Sequence, residues 1–193
     1  ESIELGKVEM LIHNGGSIFH DFQLAIKKLN GHSYSLDRLI QDPKWWSLLK
    51  EESCLVWNFL TTNGKEAPKN SITNLCIQKK IPILLFTGLG CDFWQLLGGV
   101  SWDYLAQFST NSFNLLLERF KKDNFHFINL GSAVIHPEVF IKAIVSVKPK
   151  QFTAYVVDFL DMYRPKTRVS RFGVYFKMSH KEFLTRLNKG GIS

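Results

Sequence analysis

The sequence predicts an α/β fold, a parallel sheet flanked by helices, and three observations carry that prediction. Apolar segments of strand length, Val8–His13, Ile81–Phe86, Phe125–Leu130 and Gln151–Val157, alternate with stretches of helical periodicity. Alternation of this kind, joined by right-handed crossovers, gives a parallel sheet covered on both faces. The first three strands each run straight into glycine: Asn14-Gly15-Gly16-Ser17, Thr87-Gly88-Leu89-Gly90 and Gly131-Ser132-Ala133. Loops that leave the carboxyl ends of parallel strands line one crevice, where ligands bind, and glycine lets a backbone approach a phosphate closely. No repeat or low-complexity tract breaks the order, so residues 1–193 read as a single α/β domain.

Each element has a local reason. Gly6 suits the end of a helix that starts upstream, and Val8–His13 is the first strand. Ser17 caps a helix on which Ile18, Phe22, Ala25 and Leu29 recur, and Gly31 ends it. Residues 35–60 read as helical pieces broken at Pro43, and 61–69 as a loop rich in Asn, Gly and Pro. A helix from Asn70 or Ser71 turns Ile72, Leu75 and Cys76 inward and leads to the second strand. Residues 87–109 lack periodicity and read as a long loop. Thr110 caps a helix with Phe113, Leu116, Leu117 and Phe120 on one face, ahead of the third strand. Pro137 sits in the first turn of a helix that reaches about Val147, and the fourth strand follows. Ser179 with Glu182 forms a capping box for a last helix.

Bulk properties limit the function classes. Hydrophobic residues make up 45% and charged ones 21%, which excludes a disordered chain. No apolar run approaches the roughly 20 residues of a membrane span, so no membrane role is expected. Glu1-Ser2-Ile3-Glu4 has neither an initiator Met nor signal-peptide character, and is expected to begin a fragment of a longer chain. Cys54, Cys76 and Cys91 form no CxxC, so neither a disulfide framework nor a zinc site is indicated and a cytoplasmic location is expected. Residues 142–189 hold 11 Lys and Arg against 3 acids, while the rest of the chain is close to neutral. That basic quarter suits phosphate or an acidic partner, or is a solvated face. No motif points to specific nucleic-acid recognition.

The polar residues at the strand ends are the candidates for chemistry. Asn14, Gly15, Gly16 and Ser17 offer amides and a hydroxyl to a phosphate or ribose, with a plain tight turn as the alternative. His20 and Asp21 follow on the first helical turn, either as a base or substrate anchor, or with Asp21 serving the helix dipole. Thr87, Gly88 and Gly90 lead to Asp92, an acid suited to ribose hydroxyls or a substrate amine. Asn129, Gly131, Ser132 and His136 form the third junction, where His136 is either catalytic or a helix cap. Asp158 and Asp161 end the fourth strand, ahead of Arg164, Lys166 and Arg168, an order suited to a ribose and then phosphates or an acidic substrate, with a surface loop stabilised by its own ion pairs as the alternative.

Ile18–Ala25, Asn129–Phe140 and Asp161-Met162-Tyr163-Arg164-Pro165 together resemble a bacterial group related to deoxyhypusine synthase, with matched junctions from residue 8 to about 169. The resemblance implies a Rossmann-like domain that binds NAD, and an upstream α/β unit in longer members. Deoxyhypusine synthase moves an aminobutyl group from spermidine to a protein lysine, so an amine or polyamine substrate and a homo-oligomer are implied. By this resemblance Gly15, Gly16, Asp92, Gly131 and Ser132 stand at cofactor positions. The Trp-Gly-Lys element that carries the synthase nucleophile does not occur, and Lys166 is not assigned that role. The expectation is therefore an NAD-binding protein that carries out an NAD-assisted oxidation of an amine or alcohol, or a group transfer. The alternative is a non-catalytic scaffold whose basic segment engages an acidic partner.

Overall fold

The computed structural model describes residues 2, 3, 5–33, 41, 42, 44, 47, 48, 51, 68, 70–86, 88 and 101–190, with the backbone alone for 15–18. The helical pieces expected over 35–60 and the loop 61–69 fall almost entirely outside the described residues. The chain divides into two compact units, Val8–Ser109, and Glu1–Lys7 with Thr110–Ser193. The sequence reading expected one domain.

In the unit Val8–Ser109, strand β1 (Leu11–Asn14) pairs in parallel with β2 (Ile83–Phe86), Leu11 opposite Ile83 and Asn14 opposite Phe86. Helix α1 (Gly15–Asn30) begins at the residue after β1 and buries Phe22, Ala25 and Ile26. This corrects the expected glycine turn. Gly15 and Gly16 are the first helical residues, not a loop ahead of a Ser17 cap. Glycine disfavours a helix interior, but burial of the Phe22 face outweighs that preference in the first turn. The Gly31 N–H bonds the Lys27 carbonyl at 3.2 Å and ends the helix where expected.

Helix α2 (Ile72–Gln78) is capped by Ser71, whose Oγ accepts the Asn74 N–H at 3.1 Å. Cys76 is buried as expected, but Ile72 is exposed while Thr73 and Asn74 are buried. Helix α3 (Trp102–Phe120) starts two turns before the expected Thr110, with the Ser101 Oγ accepting the Tyr104 N–H at 3.1 Å. Trp102, Tyr104 and Phe108 are exposed, so the first turns of α3 carry no inward stripe that periodicity would detect.

In the other unit, β3 (Phe125–Leu130), β4 (Phe152–Asp158) and β5 (Gly173–Lys177) form a parallel sheet in that order. Phe125 lies opposite Phe152, Leu130 opposite Val157, and Asp158 opposite Lys177. Helix α4 (Ile135–Val147) joins β3 to β4 and drives Phe140 into an aromatic core. The Phe140 ring lies 4.4 Å from Phe127, 5.9 Å from Phe172 and 6.0 Å from Phe120, centroid to centroid. Ala154, Val156 and Val157 of β4 complete that core.

Strand β5 was not expected. It is an edge strand of five residues, and it begins at Gly173, where a Cβ would stand 2.0 Å from the Ala154 carbonyl oxygen. Only glycine lets the two backbones pair there. Helix α5 (His180–Asn188) has the expected cap, with the Ser179 Oγ accepting the Glu182 N–H at 3.1 Å, and buries Phe183. Its far end is clipped by the N-terminal residues. Lys7 Nζ donates to the carbonyls of Leu187 at 2.7 Å and Asn188 at 2.9 Å, and Ser2 Oγ donates to Asn188 Oδ1. A cation at a helix C-terminus is electrostatically favourable. Among the described residues no helix is long and apolar enough to cross a membrane.

Truncation of Phe140 to Ala should lower the unfolding free energy by about 3–5 kcal/mol. Urea denaturation measures it, and a loss under about 1 kcal/mol would show that the aromatic cluster does not hold this unit together.

Candidate functional site

The carboxyl ends of β3 and β4 carry the densest set of expected site residues. The ladder continues one residue past β3, because the Gly131 N–H donates to the Val157 carbonyl at 3.0 Å. The chain then turns with Gly131 at φ +66°, a conformation that L side chains rarely adopt. Asn129, 1% exposed, donates from Nδ2 to the Ser132 carbonyl at 2.9 Å and so braces the turn. The Ser132 Oγ accepts the His136 N–H at 3.2 Å. Val134 holds the N-cap position that the sequence reading weighed for His136, without a side-chain cap bond, and the Ser132 hydroxyl takes a first-turn N–H of α4 from two residues farther out.

The loop after β4 is held from β5. Tyr175 donates its hydroxyl proton to the Leu160 carbonyl and accepts the Met162 N–H at 3.1 Å. Burial pushes the Tyr175 hydroxyl pKa above its ordinary value. Asp158 accepts the Leu160 N–H at 3.2 Å through Oδ1. Asp161 is exposed and pairs with Lys166 at 2.7 Å.

Beyond them a π-helical turn, Pro165–Val169, presents Arg168 at 3.2 Å from Glu138, with Arg164 at 3.5 Å from the same carboxylate. Glu138 also meets Lys142 at 2.7 Å, and that hydrogen bond, with the neighbouring cations, holds its carboxyl below the usual range. Three cations on one acid leave this part of the surface positive.

His180, which the sequence reading missed, closes over the Gly131 turn. A Cβ on Gly131 would lie 2.6 Å from His180 Cε1 and 3.0 Å from Nε2. The other side of the imidazole faces Phe159, ring centroids 5.5 Å apart. His180 thus reaches the loops after both β3 and β4. Its Nε2 and the Oδ1 of Asn129 are buried with no hydrogen-bond partner among the described residues. Each such group costs about 1–3 kcal/mol. The capping box located the helix, but no local pattern says that its first residue packs on a glycine 49 positions earlier.

In the unit Val8–Ser109, Asp21 has a different task from the catalytic one expected. It is 1% exposed and accepts the N–H groups of Ile72 at 3.1 Å and Thr73 at 2.7 Å, capping α2 from a distant part of the chain. His20 is exposed, 4.0 Å from Asp21. His13 is buried, its Nε2 3.5 Å from the Thr73 Oγ1, and burial lowers its pKa against the opposing charge of Asp21. Burial, with Asp21, pushes the Cys76 thiol up to about 11, so it is a packing residue and not a nucleophile.

Asn14 ends β1, and Gly88 is half-buried beyond β2. Thr87, Gly90 and Asp92 lie outside the described residues. Among the described residues no group of three or more His, Cys, Asp or Glu could hold a metal. A shallow depression lined by Asn124, His126, Gln151 and Thr153 lies at the amino ends of β3 and β4, away from the glycine turn.

No protein-family model matches the chain, and no curated protein matches it. A crystal structure of a conserved protein from Methanococcus maripaludis S2, designated LOR/SDH, superposes with a TM-score of 0.55 at 18% identity over 98% of this chain. The fold is Rossmann-like. The chain spans 55% of the length of that neighbour.

Within this Rossmann-like fold, the His13–Asp21 pair predicts a pH dependence of stability. The folded-state pKa of His13 lies below its unfolded value, so the unfolded chain binds the proton first as pH falls. The contribution is full above about pH 6.5 and is lost as pH falls from there through the folded-state pKa. His13→Gln should flatten that part of a stability-against-pH curve measured by urea denaturation. Equal slopes for the two proteins would refute the assignment.

Proposed function

We propose that the β3–α4–β4 unit binds a nucleotide, NAD foremost, at the carboxyl ends of β3 and β4. The observation that carries this reading is the left-handed Gly131 turn between β3 and α4, with Asp158 at the end of the adjacent parallel strand. In dinucleotide-binding units a glycine at this turn lets the pyrophosphate reach the backbone, the following helix N-terminus favours the negative charge, and an acid ending the next strand takes the ribose hydroxyls. Gly131, the first turn of α4 and Asp158 fit these roles. The resemblance to deoxyhypusine synthase relatives supports NAD as the cofactor, and the likeness to the Methanococcus protein supports a Rossmann-like frame for it.

Bound NAD supplies a hydride acceptor for oxidation of an amine or alcohol. The chain supplies the crevice, and a positive rim of Arg164 and Arg168 suited to an anionic group. Asp21 and Ser132 accept first-turn N–H groups of α2 and α4 within the protein. A second reading, a scaffold that engages an acidic partner, draws on the same rim and on exposed Phe159, Leu160 and Tyr163 beside it.

Calorimetric titration with NAD, ADP-ribose and spermidine tests the proposal. Asp158→Ala should weaken NAD and ADP-ribose binding by about tenfold, a change of about 1.4 kcal/mol, while the ligand-free melting temperature changes little. Absence of saturable binding at millimolar NAD would refute the nucleotide reading, and binding of spermidine alone would replace it with a polyamine site.

A further inference from the structure

We infer that His180 is a displaceable cover of the crevice between β3 and β4, and that a nucleotide binds by taking the place of its imidazole. The inference rests on the nucleotide reading and goes beyond it, because it assigns the residue that controls access to the glycine turn. Three observations carry it. The imidazole stands where a side chain on Gly131 would stand, 2.6 Å from that Cβ position, and this is the face of such a turn that a pyrophosphate approaches. The same ring meets Phe159 beyond β4, so it bridges the loops that border the crevice. In this position Nε2 of His180 is buried with no hydrogen-bond partner among the described residues, and so is Oδ1 of Asn129, a side chain 1% exposed in the strand that leads into the turn.

A permanent packing contact would ordinarily satisfy such atoms. Here the covered turn is complete in packing but incomplete in hydrogen bonding. Departure of the ring lets Nε2 reach water or a ligand oxygen and uncovers the Gly131 backbone. The movement is local. Helix α5 is anchored by buried Phe183, whose ring lies 5.3 Å from Phe176, and at its far end by Lys7, so a rotamer change at His180 suffices without displacing the helix.

The test measures NAD and ADP-ribose affinity for wild type, His180→Ala and His180→Phe, with ligand-free melting temperatures. It also follows the histidine Cε1–H signals by NMR, the His180 signal being assigned by its loss in either variant. His180→Ala should bind about tenfold tighter, since no cover is displaced. His180→Phe fills the same space without a nitrogen that gains from leaving, and should bind more weakly than wild type while melting no lower. In wild type, saturation with NAD should move the His180 signal away from its position beside the Phe159 ring.

If wild type binds but both variants bind with unchanged affinity, or His180→Ala binds more weakly, the cover is refuted while the nucleotide site stands. If His180→Ala binds and wild type does not, both inferences hold. If none of the three proteins binds either ligand, the nucleotide reading fails and the cover with it. If His180→Ala does not fold, His180→Phe and the wild-type NMR shift decide. Unchanged affinity with an unmoved signal would refute the cover.

Discussion

The bond from the Gly131 N–H to the Val157 carbonyl is the constraint on which the strand-end crevice depends. It extends the β3–β4 ladder one rung beyond the regular strand, so the chain cannot drift before it turns, and only a left-handed residue continues from there. Asn129 then ties the turn to Ser132, and the Ser132 Oγ accepts the His136 N–H in the first turn of α4. Helix α4 in turn brings Phe140 down on Phe127. Core and crevice therefore share one stretch of backbone, and a change in the turn is felt in the packing beneath it.

Whether a polar residue is structural or available to a ligand is decided here by what its atoms already hold. Asp21 has both oxygens engaged by backbone N–H groups of α2, and such charge-assisted bonds leave little for a substrate. The Ser132 hydroxyl is engaged in the same way. Asn129 and His180 differ, because each retains a buried atom with no hydrogen-bond partner among the described residues. The sequence draws attention to Asn129 through the glycine that follows it, whereas His180 is brought to the same turn only by the fold.

The β3–α4–β4 unit was the most legible part of the chain. Phe125–Leu130 was predicted to the residue, because its strand pattern is bounded by Asn124 and Gly131, and the Ser179–Glu182 box placed α5 equally well. What failed to read was local structure determined by distant contacts. Gly15 and Gly16 are helical because the Phe22 face is buried, and the N–H groups of Ile72 and Thr73 are held by Asp21 from a distant part of the chain. Strand β5 had the Val174, Tyr175 and Phe176 of a strand, but too few residues to stand out without β4 beside it. The place of His180 over Gly131 had no sequence signal at all.

The clip between Lys7 and the end of α5 has a consequence for the order in which the protein is made. Its partners are 180 and 181 positions apart, so closing that loop carries a large entropic penalty, and the contact belongs to the late part of folding. On a ribosome, Lys7 emerges well before its partners and has no helix end to hold until Leu187 and Asn188 have left the exit tunnel. The unit that carries the strand-end crevice is therefore assembled from two separate stretches of chain, while Val8–Ser109 between them is an uninterrupted stretch free to collapse in the meantime. Nascent chains arrested before residue 187 would display the crevice strands without the clip that steadies α5.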